Sequence, residues 1–510
     1  MLNPASLKTY FDQGLFGRDL LGSLVVFLVA LPLCMGIAIA SDMPPAAGLI
    51  TGIVGGVVVG AIAGSPLQVS GPAAGLAVLV FELVREHGAS ALGPVILLAG
   101  AIQLLAGLCR AGVWFRMTSP AVVAGMLSGI GILIVASQLH VLVDAVPKAR
   151  GLENFAAFPD ALRAAFAGGG DASASALLVG IATIAIIPLW DKLRPARLRL
   201  LPGALLAVVA LTGLSQALAL EVKRVQMPSS LLAAIALPDA AALSRLAEPA
   251  MLAAAFTFAL IASAETLLSA AAVDRMHDGP RTNYDRELGA QGVGNMICGA
   301  LGALPMTGVI VRSATNVQAG SATRMATIFH GLLILLFAAL LPWLVRMTPV
   351  ACLAGILVYT GAKMANLRQH ARGFAAFGKG WVAIYFATVI AIVATDLLTG
   401  VLIGFALSLL RLALQASRLH VRLVHDADGG ACLRLEGSAT FLKVPAMARA
   451  LERVPPNTHL RLIHDRLHHL DQACLELLRD WGRNAAARGC ELVVDWQELQ
   501  RRVEGAPARG

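Results

Sequence analysis

Charged side chains are what this 510-residue chain has least of: Asp, Glu, Lys and Arg make up 14% of it, against roughly 25% in an ordinary soluble domain. Hydrophobic residues reach 57%, so a water-soluble fold of this length could not cover its own surface. Aromatic residues are also few, at 5%, whereas Gly numbers 50, a balance that favours helices packed through small residues. The seven cysteines (Cys34, Cys109, Cys298, Cys352, Cys432, Cys474 and Cys490) show no CxxC or Cys/His spacing, which leaves neither a disulfide framework nor a zinc site. No nucleophile–base pair and no cofactor motif stands out, so the sequence gives no support for an enzyme. No cleavable signal peptide is expected, because the first apolar run is long and leads into another. The excess of Lys and Arg, 40 against 31 acids, reads as membrane topology and calls for no nucleic acid.

What is present is a long succession of apolar runs. They fall at about 22–41, 46–63, 71–85, 92–109, 118–140, 174–190 and 200–220, then at 248–273, 286–303, 309–321, 325–345, 350–362, 380–395 and 398–415. The reading is a polytopic α-helical membrane protein with fourteen spans in two sets of seven, although several runs fall short of the ~20 residues that cross a bilayer. Basic clusters at Lys192, Arg194, Arg197 and Arg199 and at Lys363, Arg368, Arg372 and Lys379 fall on one side, which puts both termini in the cytoplasm and the chain in the plasma (inner) membrane. The expected organisation is a transport domain over 1–417, a small cytoplasmic α/β domain over 418–500 and a disordered tail over 501–510. Within the α/β domain, Cys432–Gly437, His459–Asp465 and Cys490–Trp496 read as strands, the last buried, and Lys443–Val454 and Asp471–Gly489 read as helices.

Three features carry possible chemistry. Gly48, Gly52, Gly56, Gly60 and Gly64 recur every fourth residue; on a helix they form one bare face for close packing, with sliding of one block on another as a functional extension. Ser65–Pro72 and Leu304–Val311 interrupt the third and tenth segments at matching places in the two halves. Paired interruptions of this kind point to a transporter's midplane site. If each enters extended and then starts a helix, two helix N-termini converge there and favour an anion. Finally, Glu265 and Arg312 lie within apolar runs, where a charge costs roughly 2.5–3.5 kcal/mol on insertion scales. Arg312 can attract an anion and Glu265 can carry a proton or bind a cation, with Ser269 one turn along the same face; a salt bridge between the two charges is the structural alternative. Gln103, Gln138 and Asn295 read as interhelical glue.

The stretches ALPLCMGIAIAS, GSPLQVSGPAAGLAVLVF, ASAETLLSAAAVDRM and LPMTGVIVRSATNVQAG, in this order, resemble the SulP family of anion transporters, and the C-terminal part is similar to that family's STAS domain. The resemblance implies a 7+7 inverted repeat, a core domain moving elevator-like against a gate domain, and a homodimer with STAS contacts. It implies substrate contacts at Gly71, Ala73 and Ala74, at Val309, Val311 and Arg312, and at Leu33 and Ile37 of the first span. It further implies a coupling-ion site at Glu265, Ser269 and Ala77. Ala77 stands where relatives that use Na⁺ carry a Thr, so one ligand is missing and H⁺ is favoured over Na⁺. No other cofactor is implied. Variants in the first and third spans are similar to a bacterial subgroup associated with carbonic anhydrases, which favours bicarbonate and a functional link to such an enzyme. Sulfate or a C4-dicarboxylate, an uncoupled anion channel, and a nucleobase symporter on the same fold are the other readings. Asp471 is followed by Gln472, Ala473 and Cys474, so the hydroxyl that related anti-sigma-factor antagonists phosphorylate is missing.

Overall fold

A computed structural model describes residues 10, 12, 14–112, 119–148, 150–167, 171–195, 198, 201–228, 230–416, 419–425 and 430–503. The chain divides into two compact units, 1–405 and 406–510. The division falls inside the last long helix rather than at the expected 417/418. Leu409, Leu410, Leu412 and Leu414 on that helix's final turns are each at least half exposed, so they add little to the packing of the bundle.

The first unit consists of helices and two short strands. Its principal helices are α1 (Leu15–Ala40), α2 (Pro45–Val54, extended to Ile62 through a π-helical turn at Gly55–Val59), α3 (Ala74–His87), α4 (Leu92–Leu108), α5 (Pro120–Leu142), α6 (Gly151–Ala167), α7 (Asp171–Leu193) and α8 (Gly203–Ala217). The second half supplies α9 (Pro249–Val273), α10 (Tyr284–Ala300), α11 (Ile310–Gln318), α12 (Met325–Leu340), α13 (Val350–Met364), α14 (Leu367–Ala375), α15 (Lys379–Ala394) and α16 (Leu397–Ala416). Every expected apolar segment carries a helix. Among the described residues, eight helical stretches are long and apolar enough to cross a membrane, one of them running from α13 through α14 (Val350–Ala375), and α8, α12 and α15 are shorter apolar helices. The helices α6 and α14 were not among the expected segments, because charged and polar residues such as Glu153, Asp160, Arg163, Arg368 and Arg372 interrupt them and no continuous apolar run marks them.

Small residues set the spacing of the helices. Gly93, Gly100 and Gly107 of α4 meet Gly299, Gly292 and Gly289 of α10, and a Cβ on Gly100 would stand 2.7 Å from the Gly292 carbonyl oxygen. The four-residue glycine ladder packs as expected: Gly48 and Gly52 face Cys34 of α1, Gly56 faces Gly331 of α12, and Gly60 faces Thr327. These contacts bring α2 close to α1 and α12, while Gly64 lies beyond the helix end at Ile62 and faces the Asn283 carbonyl.

The interrupted segments stay extended where they were expected to. Ser70–Pro72 forms β1 and Met306–Gly308 forms β2, and the two pair antiparallel with Gly71 opposite Thr307. The strands displace the helix limits: α3 begins at Ala74 instead of 71, and α11 occupies 310–318 instead of 309–321. Pro72 has no N–H to give to a helix, and strand pairing supplies the hydrogen bonds that a helix would otherwise make.

The second unit is an α/β domain. Its sheet runs β3 (Leu419–His425), β4 (Ala431–Ala439), β5 (His459–Ile463) and β7 (Glu491–Val493), with β6 (Leu467–Leu470) paired to β4. Only the β3–β4 pair is antiparallel. Helices α17 (Val444–Glu452), α18 (Gln472–Ala485) and α19 (Trp496–Val503) complete it, around a core that includes Leu433, Leu435, Met447, Leu460, Leu475 and Leu478. The two earlier strands and the two helices match expectation, whereas β3, β6 and α19 are additional. The buried strand expected at Cys490–Trp496 is a short edge strand with Glu491 and Val493 exposed, since nothing pairs beyond it. Helix α19 runs into the expected tail, to Val503; residues 504–510 lie outside the described residues.

Asp471 caps α18, its carboxylate accepting from Ala473 N–H at 3.3 Å and from Phe441 N–H at 3.0 Å. Cys474 is fully buried and its thiol donates to the Thr440 carbonyl at 3.2 Å. Burial, helped by the Asp471 charge, pushes that thiol's pKa up to about 11. The folded state therefore favours the thiol, a stabilisation complete below the unfolded value near 9 and lost as pH rises through about 11. Cys474 should resist iodoacetamide near neutral pH and react only in strong alkali; fast labelling at neutral pH, read by peptide mass spectrometry, would contradict this burial.

Candidate functional site

Backbone that leaves helical geometry at membrane depth must find hydrogen-bond partners inside the protein. Around β1 and β2, side chains from neighbouring helices provide them. Val309 N–H donates to the Val69 carbonyl at 2.9 Å, Val69 N–H to Ser313 Oγ at 2.9 Å, and Gly308 N–H to Thr266 Oγ1 at 3.1 Å. Asn295 of α10 imitates a further strand: its Oδ1 accepts from Met306 N–H at 2.7 Å and its Nδ2 donates to the Met306 carbonyl at 3.1 Å. The same Nδ2 reaches Gln103 Oε1 at 2.7 Å, and Gln103 donates to Ser263 Oγ at 3.1 Å. Asn316 Nδ2 donates to the Leu67 carbonyl at 3.0 Å, and Gln68 Nε2 to the Thr266 carbonyl at 3.1 Å. At the entry of the first interruption, Glu287 Oε2 accepts from Gly64 and Ser65 N–H, each at 2.9 Å.

This scaffold aims two helix starts at one place. The residues that open α3 and α11, Ala73 and Val309, are extended, and neither helix has a side-chain cap. Uncapped N–H groups and the positive end of the helix dipole therefore remain there. Ala74, Val309, Ile310 and Val311 border a cavity of about 180 Å³. Leu33, Ile37, Glu265, Leu268, Ser269 and Arg312 line it from the same block, and Val123, Met126, Leu127, Thr360 and Met364 from the facing helices α5 and α13.

Arg312, Val311, Val309, Ala74, Leu33, Ile37, Glu265 and Ser269 are thus brought together, as expected site residues, around one cavity. Gly71, Ala73 and Ala77 are not on its wall. Gly71 and Ala73 stand behind it, buried in β1 and the turn into α3, while Ala77 borders a separate space of about 20 Å³ with Ala40, Phe81 and Leu133. Ala77, about one turn further along α3 than Ala74, is not among the residues around the cavity and has no side-chain oxygen to offer.

Arg312 has no exposed surface. Its Nη2 donates to the Pro72 carbonyl at 3.4 Å, and its Nε and Nη1 have no partner. A Cβ on Gly71 would collide with Nη1, so glycine at that position makes room for the guanidinium. Glu265 lies across α3, where a Cβ on Gly75 would stand 2.8 Å from Oε2, and that oxygen is buried without a partner. The alternative salt bridge between Glu265 and Arg312 is therefore not formed. Among the described residues no group of His, Cys, Asp and Glu could hold a metal ion.

The cavity opens one way. Leu33, Val311 and Thr360 also line a vestibule of about 350 Å³ flanked by Asp191, Arg194 and Lys363, whereas the space around Ala77, Phe81 and Leu133 is nearly filled. The sequence reading missed Gln68, Thr266, Ser313, Asn316 and Glu287. Each is a polar residue in an apolar run or beside an interruption, which was a usable signal. Val123, Met126, Leu127 and Met364 gave none, being apolar residues among apolar neighbours.

Helices over all fourteen expected apolar segments among the described residues, with paired strands and two helix starts beside a buried arginine, define a polytopic membrane protein of the anion-transporter class. Residues 16–410 match the sulfate permease family, and the chain belongs to that family. It is 27% identical over 486 residues to the putative sulfate transporter YvdB of Bacillus subtilis, covering 91% of this chain and 88% of that one. It is 26% identical over 430 residues to the bicarbonate transporter BicA of Synechocystis, covering 80% and 72%. Among solved structures it resembles the transmembrane domain of a cyanobacterial BicA, with TM-score 0.64 and 24% identity over 76% of this chain and 97% of that one. It also resembles SLC26A9, with TM-score 0.75 and 15% identity over 98% and 87%.

Removing the Asn295 amide leaves the buried N–H and carbonyl of Met306 unpaired. Asn295→Leu should cost about 2–5 kcal/mol, read as a lower melting temperature of the purified protein in detergent together with loss of transport. An unchanged melting temperature would remove Asn295 from this role.

Proposed function

We propose that this protein carries bicarbonate across the plasma membrane by alternating access, with H⁺ coupling through Glu265. The observation that carries the reading is the buried Arg312 guanidinium, without a carboxylate partner, beside two uncapped helix starts on one small cavity. An unpaired buried cation is costly, and a bound anion supplies the missing charge. A cavity of about 180 Å³ suits a small inorganic anion. Two relatives bear the name bicarbonate transporter and others are named as sulfate transporters, so sulfate is the competing substrate.

Glu265 faces the same cavity with one oxygen unpartnered, which suits a group that takes up and releases a proton during the cycle. Na⁺ has the weaker claim, because Ala77 contributes no oxygen. The block formed by α1–α4 and α9–α12 carries the anion past α5 and α13, and the vestibule beside Arg194 and Lys363 is its cytoplasmic exit. The basic clusters favour cytoplasmic termini, and the homodimer expected from the family resemblance completes the reading.

The test is uptake of labelled bicarbonate and sulfate into proteoliposomes under imposed pH or Na⁺ gradients. Arg312→Ala should weaken apparent anion affinity by roughly tenfold or more, and retained affinity would remove the arginine from the site. Glu265→Gln should abolish acceleration by a pH gradient while anion exchange continues; an unaltered pH response would rule out coupling through this carboxylate.

A further inference from the structure

We propose that the segment joining α13 to α15 binds the headgroups of anionic phospholipids, and that this contact acts on the wall of the anion cavity. Residues 363–379 contain Lys363, Arg368, Arg372 and Lys379 and no Asp or Glu. They begin in the last turn of α13 and lead into the apolar helix α15, and α14 closes the apolar stretch Val350–Ala375, which sets it at the boundary of the membrane. Leu367, His370, Ala371 and Phe374 are half-buried against the protein, while Arg368, Arg372 and the flanking Lys363 and Lys379 are exposed. Phe377, just beyond the helix, is 73% exposed. Four cations with no acidic neighbour in the segment, beside an outward-facing aromatic ring, match a phosphate-rich surface over an acyl layer. Basic residues immediately cytoplasmic of a span attract anionic lipid in this way. Topology alone explains the sign of these charges, but not the placing of Arg368 and Arg372 on one amphipathic helix, with Lys363 and Lys379 at its flanks and Phe377 beside it.

The buried side of α14 leads to the cavity. His370 Nδ1 lies 3.1 Å from Ser128 Oγ of α5, and Ser128 Oγ lies 2.9 Å from the Tyr385 hydroxyl of α15. Ser128 Oγ also approaches the Met364 carbonyl at 3.5 Å. Met126 and Leu127, just before Ser128, and Met364 itself line the anion cavity. A shift of α14 toward lipid therefore moves residues that face the substrate.

The lipid site stands independently of the transport reading, and the effect on the cavity rests on it. Two measurements on the full-length protein separate them: retention of phosphatidylglycerol over phosphatidylcholine by native mass spectrometry, and the initial rate of bicarbonate uptake in proteoliposomes with and without phosphatidylglycerol. The wild type should retain phosphatidylglycerol and transport severalfold faster in its presence. R368Q/R372Q should lose retention on the order of tenfold and lose the rate response. Ser128→Ala should keep the lipid and lose the response. Equal retention by the wild type and R368Q/R372Q would overturn the lipid site, and a full rate response in Ser128→Ala would overturn the link to the cavity. If no anion moves in any lipid, the transport reading fails while retention still decides the site.

Discussion

The rest of the site depends on the pairing of β1 with β2. Extended backbone in the middle of a membrane bundle exposes N–H and carbonyl groups that no water can satisfy. Here each strand meets the other half's strand, and Asn295, Thr266, Ser313, Asn316 and Gln68 supply further backbone contacts. Only because those groups are satisfied can the chain turn helical at Ala74 and Ile310 and present two helix starts to one cavity. Several polar residues scattered through the apolar runs are thus partners of the two short strands and of the extended residues beside them.

The crossing also explains the state of Arg312. Its side chain passes beneath the other half's strand, reaching the Pro72 carbonyl through the space left by Gly71. A guanidinium has five donors, and most of those on Arg312 remain unused. A protein that needed this charge only for stability would place a carboxylate beside it, because an unpaired buried ion is among the most expensive groups in a fold. Glu265 shares the cavity, and its Oε2 is likewise buried without a partner. The two charges are kept apart on one cavity instead of neutralising each other, which is the arrangement the proposed roles require.

The sequence made the architecture legible because apolar runs, glycine spacing and Pro/Gly interruptions are local signals. The matched positions of Ser65–Pro72 and Leu304–Val311 were enough to anticipate extended entries and helix starts. Strand pairing was not legible, since register between segments so far apart depends on the fold. Ala77 shows what position alone leaves open: it stands at the expected place on the helix, yet it borders a separate space with Phe81 and Leu133. The facing wall was silent for a different reason. Met126, Leu127 and Met364 act through shape, and an apolar residue in an apolar run carries no mark of what it faces. In the C-terminal unit, β6 and α19 went unread because short, mixed segments have little periodicity.

The distribution of bonds around the cavity also bears on movement. Directional hydrogen bonds hold the strands and the extended residues before β1 to α9, α10 and α11, and Asn295 links α10 on to α4. Across the cavity, Leu33, Ile37 and Ala74 face Met126, Leu127 and Met364, and the hydroxyl of Thr360 is engaged by the Ile356 carbonyl of its own helix. Apolar contacts depend on area and little on direction, so the two walls can exchange partners at small cost while the crossing stays intact. Under the proposed alternating access, polar bonds on one side and apolar contacts on the other would keep the anion's surroundings constant as access changes. Were the bonds of β1 and β2 shared between the two walls, every cycle would break buried hydrogen bonds, each worth ~1–3 kcal/mol when left unsatisfied.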